Sequence, residues 1–351
     1  SYNTAGERGF AKINLNSKLM DMDDLGGFIG LAPSLKKGET SAPEQKVMAA
    51  KQAASEKALP DVSLNLDRLR ATDLEATLRV DKLHAPGWPI NSLDTHIVLK
   101  EGVLTFDPVD LGIAGGQING MLVVDASKDI PSLKSDLVMK KLSLGQFFMN
   151  SPEMKDVTSG KFGGRVQLTG QGKSLAKVLG SSDGRVTFVM AGGKISLLIM
   201  EAAGIDIAEA APLLLDQDRS THIRCAIGDF KVTNGLLRSE TFVFDTNDTN
   251  VSGTALINLK NEELDIKVSA HPKDPSILSA RTPITVKGTL KDPSVGLSPE
   301  GLAGRGATAV ILGALLTPVA AMIPFIEVGL GEDSDCRGLI QRAKAKSGTV
   351  A

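Results

Sequence analysis

The chain has 351 residues, of which 42% are hydrophobic and 23% charged, so it carries enough apolar surface to fold and is not disordered. Its 39 basic and 41 acidic residues leave a formal net charge of −2, which gives no electrostatic case for nucleic acid. Aromatic residues make up 4%, with one tryptophan (Trp88) and one tyrosine (Tyr2), which speaks against stacking platforms for bases or sugars.

Residues 1–30 read as the end of a preceding β region, with a strand over 10–15 and a short helix near 22–29. Ser1-Tyr2-Asn3-Thr4 lacks the basic and then apolar run of an export signal, so the expectation is a fragment whose signal or anchor lies upstream. Residues 31–60 are rich in Lys, Ala, Ser and Glu and read as a flexible linker, helical over 44–57. From 61 to 297 the pattern is β. Leu74, Ala76, Leu78 and Val80 alternate with Glu75, Thr77, Arg79 and Asp81, a period of two that places every second side chain on one sheet face. The same alternation gives Ile97 with Leu99, Leu104 with Phe106, Leu122 with Val124 and Val166 with Leu168. It continues through Val186 with Phe188, Phe242 with Phe244, and Leu264 with Ile266 and Val268. Gly, Asn, Asp or Pro separates the runs, as in a long antiparallel meander. A helical insertion is predicted over 194–215.

A weak repeat supports the meander. Gly102-Val-Leu to Gly120 and Gly235-Leu-Leu to Gly253 have the same length, begin at a turn glycine and run into a strand ending in Asp125 or Asn258. Such a repeat implies an elongated sheet rather than a compact barrel. Roughly 15–20 strands fit the length, and stacked they extend about 70–95 Å, more than a few helices cover. Either a second layer closes over the apolar face, or the sheet curls into a trough that holds something apolar. In the trough reading, Leu78, Val80 and the residues paired above line the groove, and acyl chains fill it at about 0.8 kcal/mol per buried CH₂.

Residues 298–351 read as a C-terminal hydrophobic helical segment and tail. No charge occurs over 306–326, long enough for a spanning helix, but Pro318 and Pro324 interrupt it. A hairpin capping the sheet, insertion at a membrane interface and a true span all remain open. For membrane contact the candidates are Val310, Ile311, Leu312, Leu315, Leu316, Ile323 and Phe325. Cys225 and Cys336 are too far apart in sequence for a zinc site and fit either one disulfide or two buried thiols.

Familiar chemistry is absent from the spacing. Gly172-Lys173-Ser174 lacks the first glycine of a phosphate loop, since Gln167 stands there, and predicts a turn and a short helix capped by Ser174. His84, His96, His222 and His271 are scattered, and no metal, cofactor or catalytic set is predicted.

Three stretches carry a family resemblance. They are Leu83-His84-Ala85-Pro86-Gly87-Trp88-Pro89-Ile90 with Gly115-Gly116-Gln-Ile-Asn-Gly120, Arg224-Cys225-Ala-Ile-Gly-Asp-Phe230 leading into Asn234-Gly235, and Gly313-Ala-Leu-Leu-Thr-Pro318 through to Asp335-Cys336. In order and spacing they resemble the C-terminal region of the AsmA family, over most of the chain after residue 60. The resemblance implies a mainly β protein with a few helices, an elongated, curled antiparallel sheet forming a taco-like groove. It implies the periplasmic part of an inner-membrane-anchored protein of a Gram-negative bacterium. Its role would be non-enzymatic, moving phospholipids between inner and outer membranes, with acyl chains, envelope membranes and other envelope proteins as partners. It also implies a Cys225–Cys336 bond, which an oxidising periplasm permits. The alternative function is an assembly factor that binds outer-membrane proteins by strand addition.

Overall fold

Alternating side chains become a sheet only when successive strands keep register, and here they do so across almost the whole chain. The computed structural model describes residues 2–3, 9–21, 55–61, 67–85, 87–196, 220–273, 275–276, 283–297, 327–328 and 331–348. The strands are β1 (Tyr2–Asn3), β2 (Gly9–Ser17), β3 (Met20–Asp21), β4 (Thr72–Val80), β5 (Leu83–His84), β6 (Ile90–Lys100), β7 (Val103–Ile113), β8 (Gly116–Asp125), β9 (Ser132–Ser143) and β10 (Lys161–Gln171). Then come β11 (Asp183–Ser196), β12 (Ser220–Thr233), β13 (Leu236–Thr246), β14 (Thr249–Asn258), β15 (Glu263–Pro272), β16 (Pro275–Ser276), β17 (Ile284–Thr289), β18 (Pro293–Leu297) and β19 (Glu327–Val328). The helices are α1 (Asp67–Ala71), α2 (Pro152–Val157), α3 (Leu175–Gly180) and α4 (Cys336–Ser347), with a 3-10 turn at Leu144–Phe148.

Fifteen strands form one open sheet, in the order β1-β2-β4-β6 and then by chain order to β15, β17 and β18. At about 4.8 Å per strand it extends some 67 Å. It is not closed into a barrel: β1 and β18 stand at opposite ends. From β4 onward every pairing in it is antiparallel. One pairing departs from the predicted meander: β2 lies parallel to β4, Leu15 beside Leu78. The strand expected over 10–15 lies within β2 and joins this sheet. A parallel neighbour needs a crossover connection, and residues 18–71 separate β2 from β4 in sequence.

The sequence repeat is a repeat of hairpins. β7 and β13 have 11 residues each, and β8 and β14 have 10 each. Both hairpins follow a two-residue turn with positive φ at both positions, Glu101-Gly102 (52° and 81°) and Asn234-Gly235 (47° and 74°). Such turns match the right-handed twist of the flanking strands.

Two predicted elements are corrected. The helix expected from 194 does not begin there: Lys194, Ile195 and Ser196 continue β11, paired with His222, Thr221 and Ser220. The rest of that insertion lies outside the described residues. The linker expected over 31–60 is fixed at its end, and residues 55–57 are not helical. Glu262, buried in the β14–β15 turn, accepts the backbone N–H of Ala58 (2.6 Å) and of Leu59 (3.2 Å). Lys291 Nζ donates to the Ser55 carbonyl, the Ala176 N–H donates to the Pro60 carbonyl at 3.1 Å, and Ser174 bonds Asp61. Arg70 on α1 then donates to the carbonyls of Ala126 and Lys128 (2.7 and 2.6 Å). Residues 55–61 and α1 therefore run along one rim of the sheet, from the β17–β18 turn back to the β8–β9 turn. The turn and helix predicted after Gly172 are present: α3 is capped by Ser174, whose hydroxyl accepts from the Lys177 N–H at 3.2 Å.

Candidate functional site

Residues opposite one another in paired strands share a face, so the register assigns every side chain. Leu78 stands opposite Thr95, and Ala76 opposite Ile97. Ile97 stands opposite Phe106, and Phe106 opposite Leu122. The face continues through Leu133 and Leu137 of β9 to Val166 and Leu168, then Val186 and Phe188. It passes on through Phe230, Phe242, Phe244 and Val251 to Val268, Ile266 and Leu264, and then Val286 and Val295. All the groove candidates lie on it, Val80, Leu99, Leu104 and Val124 included. One apolar face therefore crosses the entire sheet, from Ile13 and Leu15 at one end to Val295 at the other.

Its burial is graded. Ile13, Leu15 and Val295 at the two ends are about half exposed (48%, 47% and 50%), and the face positions of β4 and β8 between the rims are half-buried. Two compact clusters interrupt it. Val251, Val268, Ala270 and Ile284 pack with Phe242, Phe244 and Ile266. Ile113, Ala114 and Leu142 pack with Ile90, Ile118, Met139 and Phe162. Phe188, Phe230 and Phe242 form a row with ring centroids 6.1 Å apart. Gly228 makes this row possible, since a Cβ there would stand 2.2 Å from the Phe188 ring.

Sequence reasoning missed β9 and β12. In β9, Ser135 takes an apolar-face position, which breaks the alternation. In β12 both faces are apolar: Ala226, Phe230 and Val232 face one way, Ile223, Cys225 and Ile227 the other. The second set is covered by α4, whose Leu339, Ile340 and Ala343 pack on Cys225, Ile227 and Val189. Asp335 caps α4 by accepting from the Gly338 N–H.

Cys225 and Cys336 are bonded, with Cα atoms 5.7 Å apart. Beside the bond, the fully buried Asp245 accepts from Arg224 (3.0 Å), Lys273 (2.7 Å) and the Ser334 N–H (3.1 Å). Asp333 meets the same two cations, and the hydrogen bond from Lys273 holds its carboxyl below the usual carboxylate range. Cys225, Asp245 and Cys336 are close enough to hold a metal, but the two sulfurs are spent on each other. At the far end of α4, Arg165 grips Asp136 with two hydrogen bonds of 2.7 Å and donates to the carbonyls of Ser347 and Gly348. That grip lowers the Asp136 pKa. Lys346 binds Glu240 at 2.8 Å, and hydrogen bonds from Lys346 and then Arg185 lower the Glu240 pKa.

The membrane-contact candidates of 306–326 lie outside the described residues. No described helix is long and apolar enough to cross a membrane.

The sequence profile of the AsmA family matches residues 4–242. The AsmA family protein YhjG of Escherichia coli (strain K12) is 28% identical over 344 residues, covering 98% of this chain and 50% of that relative. The chain thus spans about half the length of the curated relative it matches. No solved structure matches.

Proposed function

The chain belongs to the AsmA family, whose members are envelope-associated, and from that premise we propose that its apolar sheet face carries phospholipid acyl chains through the periplasm. The observation that carries this reading is the apolar face that runs from β2 to β18 across the sheet. A second protein layer would bury such a face, and among the described residues helical cover is concentrated on the opposite, polar face, as α4. Acyl chains suit the position: each buried CH₂ contributes about 0.8 kcal/mol, and a chain laid across the strands needs no hydrogen bond from the floor. The headgroup stays at the edge, in water. The role is that of a non-enzymatic conduit between inner and outer membranes, within a protein anchored at the inner membrane.

Extraction of the purified chain with organic solvent should release phospholipid in stoichiometric amount. Phe188→Asp and Phe244→Asp put a charge on the face and should abolish that lipid while the protein stays soluble and monodisperse. Equal lipid in wild type and both variants would sink the proposal.

The open edge favours a second reading. Among the described residues β18 stands at the end of the sheet and pairs only with β17, and a strand edge is where a client strand adds. An outer-membrane protein strand that binds equally well to lipid-loaded and lipid-free protein would favour that assembly role.

A further inference from the structure

The two rims of the sheet are built differently. One carries the strap of residues 55–61 and α1. That rim exposes a single large apolar side chain among the described residues, Ile130 (57%), whereas the other, between β2 and β10, exposes four: Leu19 (69%), Trp88 (62%), Met149 (42%) and Phe147 (36%). Leu19 precedes β3, which pairs with β5; Trp88 follows β5; the 3-10 turn and Met149 follow β9. Six strand spacings separate β2 from β10, so these residues line an edge of about 29 Å. Scattered exposed apolar residues mean little, but a row of them along one edge marks a contact surface.

The charges on the same rim identify the partner. Lys18, Lys82, Lys140, Lys141, Lys155 and Lys161 are exposed there, against the exposed Asp81 and Asp156. An indole flanked by lysines and flexible apolar side chains fits the boundary between anionic headgroups and acyl chains. The rim also leads inward. The Phe147 ring lies 5.7 Å from that of Phe162, and Phe162 stands opposite Met190 on the apolar face. We infer that this rim docks on the surface of a bilayer containing anionic phospholipid, so that acyl chains pass over it sideways into the groove. The inference rests on the lipid-carrying reading above and adds the membrane contact and the side of entry.

Trp88 is the only tryptophan of the chain and therefore a built-in reporter. The whole chain is titrated with vesicles of phosphatidylcholine and phosphatidylglycerol at a ratio of about 3:1, within the range in which anionic lipid attracts lysine-rich surfaces. Trp88 emission should shift to the blue and be quenched by phosphatidylcholine brominated near the headgroup. Omitting the anionic lipid, or raising salt to about 0.5 M, should weaken binding at least about tenfold. Lys82→Glu with Lys155→Glu should weaken it about 25-fold, at about fivefold for each lysine. Met149→Ser with Leu19→Ser should reduce the blue shift while keeping the salt dependence. Protein that pellets with vesicles while Trp88 emission stays unchanged would overturn the inference. So would a shift seen only with an envelope protein fraction and not with vesicles. Phe188→Asp separates the two proposals: docking that survives it without lipid loading supports the rim alone. Lipid loading in wild type without any Trp88 response leaves the groove and removes the rim.

Discussion

The two faces of the sheet differ most at β10 to β13. On one side, Phe188, Phe230 and Phe242 lie in a row on a continuous apolar surface. On the other, a 12-residue helix sits on a small apolar island, Val189, Cys225 and Ile227, surrounded by ion pairs. The larger apolar surface therefore lies opposite the helix that has the strongest tethers. A fold that needed only stability would put its helix over the aromatic row. On the proposed lipid-carrying role, α4 bonded, capped and salt-bridged to the other face separates two tasks: stiffening on the polar side, access on the apolar side.

The first way to break this division is to release the helix. Cys225 and Cys336 close a loop across a sequence separation of 111, and on the chain-entropy model that bond contributes about 4–5 kcal/mol. Cys225→Ala with Cys336→Ala should lower the urea midpoint accordingly and speed amide exchange throughout α4, with lipid loading retained in the protein that remains folded. Asp245→Ala should come next, at about 3 kcal/mol, because it leaves Arg224 and Lys273 facing a buried gap. Chemical denaturation measures both, and an unchanged midpoint for Asp245→Ala would mean that Asp333 alone holds the two cations.

Matched truncations sharpen the comparison. Ile227, 1% exposed under α4, should cost about 3 kcal/mol as Ile227→Ala. Leu122, half-buried on the apolar face, should cost about 1 kcal/mol as Leu122→Ala in lipid-free protein. Acyl chains that bind Leu122 raise its cost when they are present, so repeating the measurement with and without lipid reports occupancy. The same value in both states would place the acyl chains elsewhere.

The apolar face was legible because β4 alternates cleanly and β6 and β7 do so over Ile97–Leu99 and Leu104–Phe106, before the register shift at Phe106–Val109, and the equal hairpins β7–β8 and β13–β14 were legible through Gly102 and Gly235. What stayed hidden depends on partners distant in sequence. Residues 55–61 have a linker's composition, and partners 113 to 236 residues away, Ser174, Glu262 and Lys291 among them, fix them to the rim. β12 lost its alternation because α4 makes its second face a core. Lys194, between Gly193 and Ile195, reads as readily as a helix start, yet its backbone is claimed by Ser159 and its strand partner is His222. The Trp88 rim has no periodic signal at all, because it is assembled from three separate connections.

Acidification gives the smallest effect and the most local one. Asp136 and Glu240 have folded pKa values below the ordinary carboxylate range, Asp136 through Arg165 and Glu240 through Lys346 and Arg185. A depressed folded value means that their stabilisation is full above the unfolded pKa, near 4, and is lost as pH falls through the folded value. Both are partly solvated, so screening keeps the total below about 1 kcal/mol. The loss should still be visible, because Arg165 and Lys346 hold the last turn of α4. As pH falls below the unfolded carboxylate value, about 4, amide protection corrected for intrinsic exchange should fall at 344–348. It should fall less near Cys336, where protonating the exposed Asp333 removes one ion-pair partner but the disulfide remains, and should persist in β4 and β8 on the apolar face. Uniform loss along α4 would show instead that the helix responds as one body, and that the ion pairs at its end do not act separately from the disulfide at its start.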